Sequence, residues 1–297
     1  MDHDPAPQTV GFIGAGMMGG GMAQCLLRAG HAVRVTPNRS VEAIRPLVAA
    51  GAQQVADLET VVAGASVVVT CLPDADAMQA VVDRLLPGLP QGVIWIDTTT
   101  SDPTVTRALA GRMAAAGITF ADAPVTGSPA QAAEGQLASL VGCAEADFAR
   151  IEALAGIWSG VVRRFGDVGA GHAAKLLNNA VTQGTMVLLA AAYGLARKAG
   201  VDWQALYDVM QVGAARSGTL EKSVGPALGG DFDGARFTIA NAEKDLRYAV
   251  AFMEGLGEDS TPLRAAHAQL AALKAAGHGA AFVSRQLDLP ITRPDRV

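Results

Sequence analysis

The sequence predicts an α/β protein in which a doubly wound parallel sheet is followed by a long connecting helix and an all-α C-terminal domain. Two observations carry this prediction. In the first half of the 297 residues, short β-branched runs alternate with stretches of helical periodicity, and such alternation is typical of βαβ units on a parallel sheet. In the second half, Ala- and Leu-rich helical pattern continues with Gly and Pro as breaks.

The predicted strands and helices of the first half follow one another at short intervals. Strands are expected at Thr9–Gly14, Ala32–Thr36, Ser66–Leu72, Val93–Asp97 and Ile118–Ala121. Helices are expected at Met17–Ala29, Val41–Ala50, Ala75–Leu86 and Pro103–Ala116. Two further apolar runs, Ala138–Val141 and Val161–Phe165, flank a helix near Glu145–Trp158 and would extend the sheet.

From about Gly169 onward the sequence predicts helices and no strand. The stretch Ala173–Ala199 fits a single helix of roughly 40 Å, at 1.5 Å per residue. We therefore divide the chain into an N-terminal domain, residues 1–168, and a helical C-terminal domain, residues 169–297, with the long helix from about 170 to 199.

Composition excludes several classes of protein. Half of the residues are apolar and 17% are charged, as in a globular protein. The net charge of −5 provides no basic field, so we expect neither nucleic acid nor a membrane surface as a partner. The uncharged stretch Leu176–Ala196 contains Asn178, Asn179, Thr182 and Gln183 and fits a helix buried in protein, not in lipid.

Cysteine and histidine usage points to a reducing compartment without a metal. Cys25, Cys71 and Cys143 are far apart, and the five histidines are scattered. This pattern predicts free thiols in a cytoplasmic protein and no metal site. The segment Met1–Pro5 lacks the basic and apolar regions of a secretory signal, so none is expected.

A glycine loop follows the first predicted strand. Gly14, Gly16 and Gly19 form a GxGxxG pattern between that strand and an apolar helix, the context typical of a Rossmann dinucleotide site. The first glycine permits the tight turn, the second lets backbone approach a pyrophosphate, and the third allows close packing of helix and sheet. The alternative is a glycine turn that serves packing alone. The candidate cofactor contacts are Phe12, Ile13, Gly14, Ala15, Gly16, Met17, Met18 and Gly19.

The end of the second predicted strand indicates NADP in preference to NAD. NAD enzymes place an acid there for the ribose 2′-hydroxyl, but no acid lies between Val33 and Val41. Asn38, Arg39 and Ser40 occupy the place instead. A guanidinium pairs well with a 2′-phosphate. A surface arginine in a turn is the alternative.

Three polar residues lie near the start of the long apolar helix. Lys175, Asn178 and Asn179 have i, i+3 and i+4 spacing and share a face. We expect the amine and both amides to be buried together. A desolvated lysine can have its pKa lowered and act as a general acid–base, whereas a lone helical lysine is usually a solvated charge.

Four further motifs occur in a fixed order along the chain. They are Asp97-Thr-Thr-Thr-Ser-Asp-Pro103, Asp122-Ala-Pro-Val-Thr-Gly-Ser-Pro129 followed by Gly135-Gln-Leu137, Gly169-Ala-Gly-His-Ala-Ala-Lys-Leu-Leu-Asn-Asn179, and Lys244-Asp-Leu246. With the glycine loop, they resemble the β-hydroxyacid dehydrogenase family over about Val10 to Leu289. That family includes 3-hydroxyisobutyrate dehydrogenase, tartronate semialdehyde reductase and the glyoxylate/succinic semialdehyde reductases. The second domain resembles the C-terminal domain of 6-phosphogluconate dehydrogenase.

The resemblance implies roles for individual residues. Lys175 would protonate the forming alkoxide on reduction and take the hydroxyl proton on oxidation, and Asn179 would help to hold the substrate oxygen, beside Asn178. Thr126, Gly127 and Ser128 would bind the substrate carboxylate, although the family has Ser-Gly-Gly there. The residues implied to line the cofactor are Cys71, Leu72, Pro73, Thr99, Thr100 and Lys244, the last with Asp245 as its local partner.

Three other functions compete with a hydroxyacid dehydrogenase. Imine reductases use similar architecture but generally replace the catalytic lysine, which this chain has as Lys175. A 6-phosphogluconate dehydrogenase has a much longer helical domain. A non-catalytic module would use NADP only as a ligand. Within the predicted function the substrate stays open among hydroxyisobutyrate, succinic semialdehyde, glyoxylate, β-hydroxy amino acids and other β-hydroxy acids.

The long helix also predicts self-association. Its apolar residues cover most of its circumference, and such a helix must be covered all round. A second copy would supply the missing surface, so we expect a homodimer or a homotetramer with the helical domains packed together.

Overall fold

The computed structural model describes residues 6–37 and 41–289, which divide into two compact units between Lys175 and Leu176. The first unit contains a sheet with helices on both faces, and the second is helical, which confirms the predicted fold class. The boundary lies inside the long helix, whose bounds are Ala170–Ala199.

The described residues of the first unit form a nine-stranded sheet in the order β3-β2-β1-β4-β5-β6-β8-β7, with β9 paired to β8. The strands are β1 Thr9–Ile13, β2 Ala32–Val35, β3 Gln53–Gln54, β4 Val67–Thr70, β5 Ile94–Asp97, β6 Thr119–Asp122, β7 Val125–Thr126, β8 Leu137–Gly142 and β9 Ser159–Gly166. The ladders from β3 through β6 are parallel, and β8 runs antiparallel to β6 and β7 but parallel to β9.

Helices lie along the chain between and after these strands. They are α1 Met17–Arg28, α2 Arg45–Ala49, α3 Leu58–Val62, α4 Ala75–Leu85, α5 Pro103–Ala115, α6 Pro129–Ala133, α7 Glu145–Ala155, α8 Ala170–Ala199, α9 Trp203–Val212, α10 Gly218–Leu228, α11 Ile239–Gly255 and α12 Thr261–Leu273. Short 3-10 turns cover Val41–Ala43, Leu86–Gly88 and Val283–Leu287, and a π-turn covers Lys274–His278.

Both faces of the sheet are buried because side chains alternate along each strand. Ile94 and Ile96 of β5 belong to the core beneath α1 and α7, which also contains Met22 and Leu26. Trp95, between the two isoleucines, belongs to the opposite core with residues of α4 and α5 such as Met78 and Met113. Runs that are apolar on both faces are what a covered parallel sheet requires.

The predicted helix Val41–Ala50 is wrong as a single element. A 3-10 turn covers Val41–Ala43 and α2 begins only at Arg45. Pro46 lies at the start of α2, where proline is tolerated because the first N–H groups of a helix have no partner within it. Proline in the middle of a ten-residue helix would instead remove a hydrogen bond, so the break falls before it.

The second unit is built around the later part of α8. Leu176, Met186 and Tyr193 of that helix are buried, as are Leu220 of α10 and Leu246 of α11. Among the described residues of this unit, β pairing is limited to an isolated bridge between Thr238 and Phe282. No described helix is apolar over enough of its length to span a bilayer.

Candidate active site

Several predicted site residues of the first unit lie where parallel strands end. β1, β4, β5 and β6 end at Ile13, Thr70, Asp97 and Asp122, and these ends share one edge because the strands are parallel. The chain order along the sheet reverses between β1 and β4. In open α/β sheets ligands bind outside the carboxyl ends of the strands, at such a reversal.

The glycine loop has the shape that a dinucleotide requires. Gly14 has a φ of 98°, and a Cβ there would overlap the carbonyl oxygen of Cys71. A Cβ on Gly19 would overlap the carbonyl oxygen of Gly14, whereas a Cβ on Gly16 would meet no atom within 4 Å. Among the described residues, no side chain caps the start of α1. Open space at Gly16 beside uncapped N–H groups fits a bound pyrophosphate.

The loops after β4 and β5 are joined by hydrogen bonds around Asp97. Its Oδ1 accepts from Thr70 Oγ1 at 2.9 Å and from the Thr99 N–H at 3.0 Å. Thr99 Oγ1 in turn accepts from the Leu72 N–H at 3.0 Å. Hydrogen bonds therefore hold the predicted cofactor segments Cys71–Pro73 and Thr99–Thr100 together, beside the glycine loop.

The turn after β6 is fixed by its own hydrogen bonds. Ser128 caps α6: its Oγ accepts from the Gln131 N–H at 3.3 Å, while Gln131 Oε1 accepts from the Ser128 N–H at 2.9 Å. Thr126 pairs with Ala138 in the β7–β8 ladder. Because the Ser128 N–H is used within the cap, a bound carboxylate would be contacted here by hydroxyl groups and by Gly127.

The first turn of α8 is attached to the end of β6. Asp122 is fully buried, and its Oδ1 accepts from the Gly169 N–H at 2.6 Å while its Oδ2 accepts from the His172 N–H at 2.7 Å. Lys175 follows three residues later and is only 9% exposed. The burial predicted for this lysine is therefore present, at the same sheet edge as the loops described above.

The burial predicted for both amides holds for Asn179 and is wrong for Asn178. Asn179 is 6% exposed and donates from Nδ2 to Asp245 Oδ2 at 2.6 Å. Asn178 is exposed and donates to Asn179 Oδ1 at 3.2 Å. Residues at i+3 and i+4 differ by about 100° around a helix of 3.6 residues per turn, which is enough to place one amide inside and the other at the surface.

Asp245 also binds the predicted cofactor lysine. Its Oδ1 lies 3.2 Å from Nζ of Lys244, whose side chain is 13% exposed and lies 5.6 Å from the ring centre of Tyr248. The aspartate thus joins Lys244 and Asn179 within the second unit. The sequence predicts the Lys244–Asp245 pair from adjacency, but the contact between Asp245 and Asn179 joins residues 66 positions apart.

Comparison with known proteins gives two family models that together match most of the chain. The model for the NAD binding domain of 6-phosphogluconate dehydrogenase matches residues 9–164. The model for the NAD-binding domain of NADP-dependent 3-hydroxyisobutyrate dehydrogenase matches residues 169–288.

Curated relatives and solved structures agree with these models. The 2-(hydroxymethyl)glutarate dehydrogenase of Eubacterium barkeri is 32% identical over 259 residues, covering 86% of this chain and 84% of that protein. The 3-hydroxyisobutyrate dehydrogenase of Pseudomonas aeruginosa is 33% identical over 277 residues, covering 90% and 92%. This chain belongs to the β-hydroxyacid dehydrogenase family. Mycobacterium tuberculosis 3-hydroxyisobutyrate dehydrogenase, solved with L-serine, has a TM-score of 0.87 at 28% identity and covers 95% of this chain and 98% of its own.

Membership of the family establishes the reaction class. The chain is an NAD(P)-dependent hydroxyacid dehydrogenase that acts on a CH–OH group. Among the described residues, no cluster of His, Cys, Asp or Glu could hold a metal ion, and Cys25, Cys71 and Cys143 form no disulfide. The predicted 2′-phosphate contacts Asn38, Arg39 and Ser40 lie outside the described residues.

Sequence reasoning missed the buried polar cluster that Asp122 and His172 form at the start of α8 in this dehydrogenase. Asp122 and His172 both occur in the motifs quoted above, yet neither was assigned a role. Their contacts join residues 47 and 50 positions apart, so no local periodicity marks them. A useful signal would have been an acid at the end of a buried strand, where an unpaired charge is costly.

Proposed function

We propose that this chain is an NADP-dependent dehydrogenase that interconverts a small β-hydroxy acid and its semialdehyde or keto acid, with Lys175 as the general acid–base. The observation that carries the proposal is the place of Lys175. Lys175 is a buried amine in the second turn of α8. The first turn of that helix is attached through Asp122 to the sheet edge that bears the glycine loop.

The proposed task of Lys175 is proton transfer at the substrate oxygen. During oxidation its Nζ takes the proton of the hydroxyl group, and during reduction it returns that proton to the forming alkoxide. The bound nicotinamide supplies the complementary chemistry by accepting or donating a hydride at the carbinol carbon. Asn179, one turn further along the helix, is proposed to hold the same oxygen, with its amide oriented by Asp245.

The turn at Thr126–Ser128 is proposed to bind the substrate carboxylate. Ser128 Oγ accepts from Gln131, so its own proton is directed elsewhere and can be donated to an anion. The Thr126 hydroxyl and the Gly127 backbone complete the site. Hydrogen bonds to a charged group are about twice as strong as neutral ones, which suits a site that must select an acid.

The relatives suggest the substrate class more narrowly. 3-Hydroxyisobutyrate, 2-(hydroxymethyl)glutarate and the L-serine present in the mycobacterial structure all share the unit HOCH2–CH(R)–COO⁻, with R a methyl, a carboxyethyl or an ammonium group. We propose that this enzyme acts on a 2-substituted 3-hydroxypropanoate of this kind. Which R it prefers is read from a panel that varies R alone.

NADP is proposed as the cofactor because the segment after β2 contains arginine in place of an acid. Two arginines lie near this point. Arg34 is engaged within the fold, since it donates to Gln53 Oε1 at 3.1 Å and to the carbonyl oxygen of Ala63. The role of binding the 2′-phosphate therefore falls to Arg39, with Asn38 and Ser40 beside it.

Replacing Arg39 with alanine is expected to raise the KM for NADP about ten- to a hundredfold, because a hydrogen bond to a charged group contributes about 1.5–3 kcal/mol. The KM for NAD should change little. Arg34→Ala is the matched control, and it should affect both cofactors equally. Initial rates with each cofactor provide the measurement. An equal effect of Arg39→Ala on both cofactors would refute the assignment.

Two other functions make different predictions in a simple assay. An imine reductase would consume NADPH when a ketone and an amine are supplied together, but not with a semialdehyde alone. A non-catalytic module would bind NADPH without turnover. We propose neither, because Lys175, Asn179 and the turn at Thr126–Ser128 are all present.

The proposed assembly is a homodimer or a homotetramer formed through α8. Leu177, Val181, Leu188 and Leu195 are exposed, between 55% and 72%. At about 100° per residue, their spacing of 4, 7 and 7 places all four within a narrow stripe. An exposed apolar stripe of this kind marks an interaction surface, and a second copy of the chain is the proposed occupant.

Light scattering after size exclusion should give two or four times the chain mass of 30.3 kDa. Leu188→Glu should lower the mass because it places a charge inside the proposed contact. Lys198→Glu, at an exposed position of the same helix, should not. A wild-type mass equal to that of one chain would contradict the proposal.

A further inference from the structure

Asp122 connects two segments that the proposed function assigns to the substrate. It is the last residue of β6 and is followed after four residues by Thr126, in the proposed carboxylate-binding turn. Its side chain holds the Gly169 and His172 N–H groups at 2.6 and 2.7 Å, at the start of the helix that bears Lys175. Each carboxylate oxygen thus accepts one backbone N–H.

The surrounding backbone leaves room for this carboxylate and for little else. A Cβ on Gly142, which pairs with Asp122 in the β6–β8 ladder, would lie 2.5 Å from Asp122 Oδ1. A Cβ on Gly171 would overlap the carbonyl oxygen of Leu140. The two glycines therefore allow the first turn of α8 to approach the strand ends closely enough for Asp122 to reach its N–H groups.

The charged and titratable groups near Asp122 include His172 from α8, Cys143 just after β8 and, beyond the His172 ring, Asp97 from β5. The buried imidazole lies with Nδ1 3.8 Å from Asp122 Oδ2 and Nε2 3.9 Å from Asp97 Oδ2. Nδ1 is also 2.7 Å from Thr106 Oγ1. Burial raises the pKa of the Asp122 carboxyl, against the opposing effects of His172 and the two N–H groups. The ring contacts elements on three sides, so the first turn of α8 is fixed in rotation as well as in position.

We propose that Asp122 is a positioning residue, which sets the separation between Lys175 and the carboxylate-binding turn at Thr126–Ser128. This inference rests on the proposed function of Lys175. The side chain of Asp122 accepts two N–H groups from the start of the helix that bears Lys175. Its main chain continues into the turn proposed to bind the substrate carboxylate. One residue thereby fixes the distance between proton transfer and carboxylate recognition, a distance that must match the HOCH2–CH(R)–COO⁻ unit.

Asp122→Asn tests this proposal with almost no change of volume. The amide would accept one N–H but present its own N–H group to the other, so the first turn of α8 must shift. We expect kcat to fall about ten- to a hundredfold, since misplacement by about 1 Å costs on that order. The dissociation constant for NADPH should stay within about twofold of wild type, because the glycine loop is separate. Asp122→Ser, whose hydroxyl accepts one N–H without repulsion, should give a smaller loss.

The pH profile of kcat separates positioning from a merely structural role. Asp122→Asn should displace the limb that depends on Lys175, whereas Asp57→Asn, which removes a capping carboxylate at the start of α3, should not. In the wild-type protein the Gly169 and His172 amides should exchange slowly with solvent. An unchanged kcat and pH profile in a folded Asp122→Asn or Asp122→Ser variant would overturn the proposal, and so would rapid exchange of those two amides.

The result for Lys175→Ala distinguishes failure of the positioning role of Asp122 from failure of the proposed function. If Lys175→Ala is inactive while Asp122→Asn has normal kinetics, the positioning role alone is refuted. If Lys175→Ala retains activity, the general acid–base assignment is refuted, and the positioning role that rests on it is refuted as well.

Discussion

Lys175→Ala is expected to lower kcat about a hundredfold or more, the usual scale for loss of a general acid–base, while NADPH still binds. The lysine is buried on α8 and is separate in sequence from the glycine loop, so cofactor affinity should persist. The loss should appear in kcat and kcat/KM alike, as for an interaction made in the transition state. Steady-state rates at 340 nm and NADPH fluorescence titration measure the two effects separately.

Lys198→Ala provides the control for this variant. Lys198 lies on the same helix but is exposed near its C-terminal end, so its removal should leave kcat unchanged. The wild-type enzyme should also show a pH dependence of kcat that Lys175→Ala lacks. Near-normal kcat in Lys175→Ala would mean that the proton comes from another group.

Glu243→Gln is expected to lower the free energy of unfolding by about 1.5–3 kcal/mol, the scale for a hydrogen bond to a charged group. Glu243 of α11 is only 5% exposed and accepts from Lys274 Nζ at 2.6 Å. Its other oxygen lies 3.0 Å from His267 Nε2 of α12 and 3.6 Å from Arg247 Nε. A neutral amide would leave Lys274 and Arg247 without this counter-charge in the second unit.

The effect of Glu243→Gln should depend on pH in a defined direction. Burial alone would raise the pKa of the Glu243 carboxyl, but hydrogen bonds from Lys274 and His267 outweigh it and hold the pKa below its ordinary value. A carboxyl whose pKa is depressed by folding stabilises the folded state at pH values above its pKa in the unfolded chain. This stabilisation is lost as the pH falls through its pKa in the folded state. The difference between wild type and variant should therefore shrink in acid.

Urea unfolding at neutral and acidic pH measures this difference. Glu254→Gln is the matched control because Glu254 also lies on α11 and pairs with Arg264 of α12 at 2.9 Å, but at the surface. Exposed pairs contribute little, so its effect should be small. Equal destabilisation by the two variants would contradict the importance given to burial.

The elements that the sequence predicts well are those with strong periodicity. Buried runs such as Val67–Thr70 and Ile94–Asp97 are apolar up to their last residue, and their predicted bounds differ from the observed ones by at most two residues. The strand Gln53–Gln54 is missed because it is short, exposed and polar, and it exists through backbone pairing with β2. Val125–Thr126 is missed for the same reason of length.

The site divides along similar lines. The glycine loop and Lys175 could be predicted because local sequence determines a turn after a strand and a polar residue on an apolar helix. The exposure of Asn178 could not be predicted, since the direction of each helix face depends on what packs against it. The contacts made by Asp122 and Asp245 depend on tertiary structure alone, because each joins residues more than forty positions apart.

The most direct test of the central claim is oxidation of a panel of β-hydroxy acids by the wild-type enzyme, with NADP and NAD compared at 340 nm. The panel varies R in HOCH2–CH(R)–COO⁻ from methyl to carboxyethyl to ammonium. We predict formation of NADPH with at least one member, at a lower KM for NADP than for NAD. Absence of turnover with every member and both cofactors, together with NADPH consumption only when a ketone and an amine are supplied, would contradict the account.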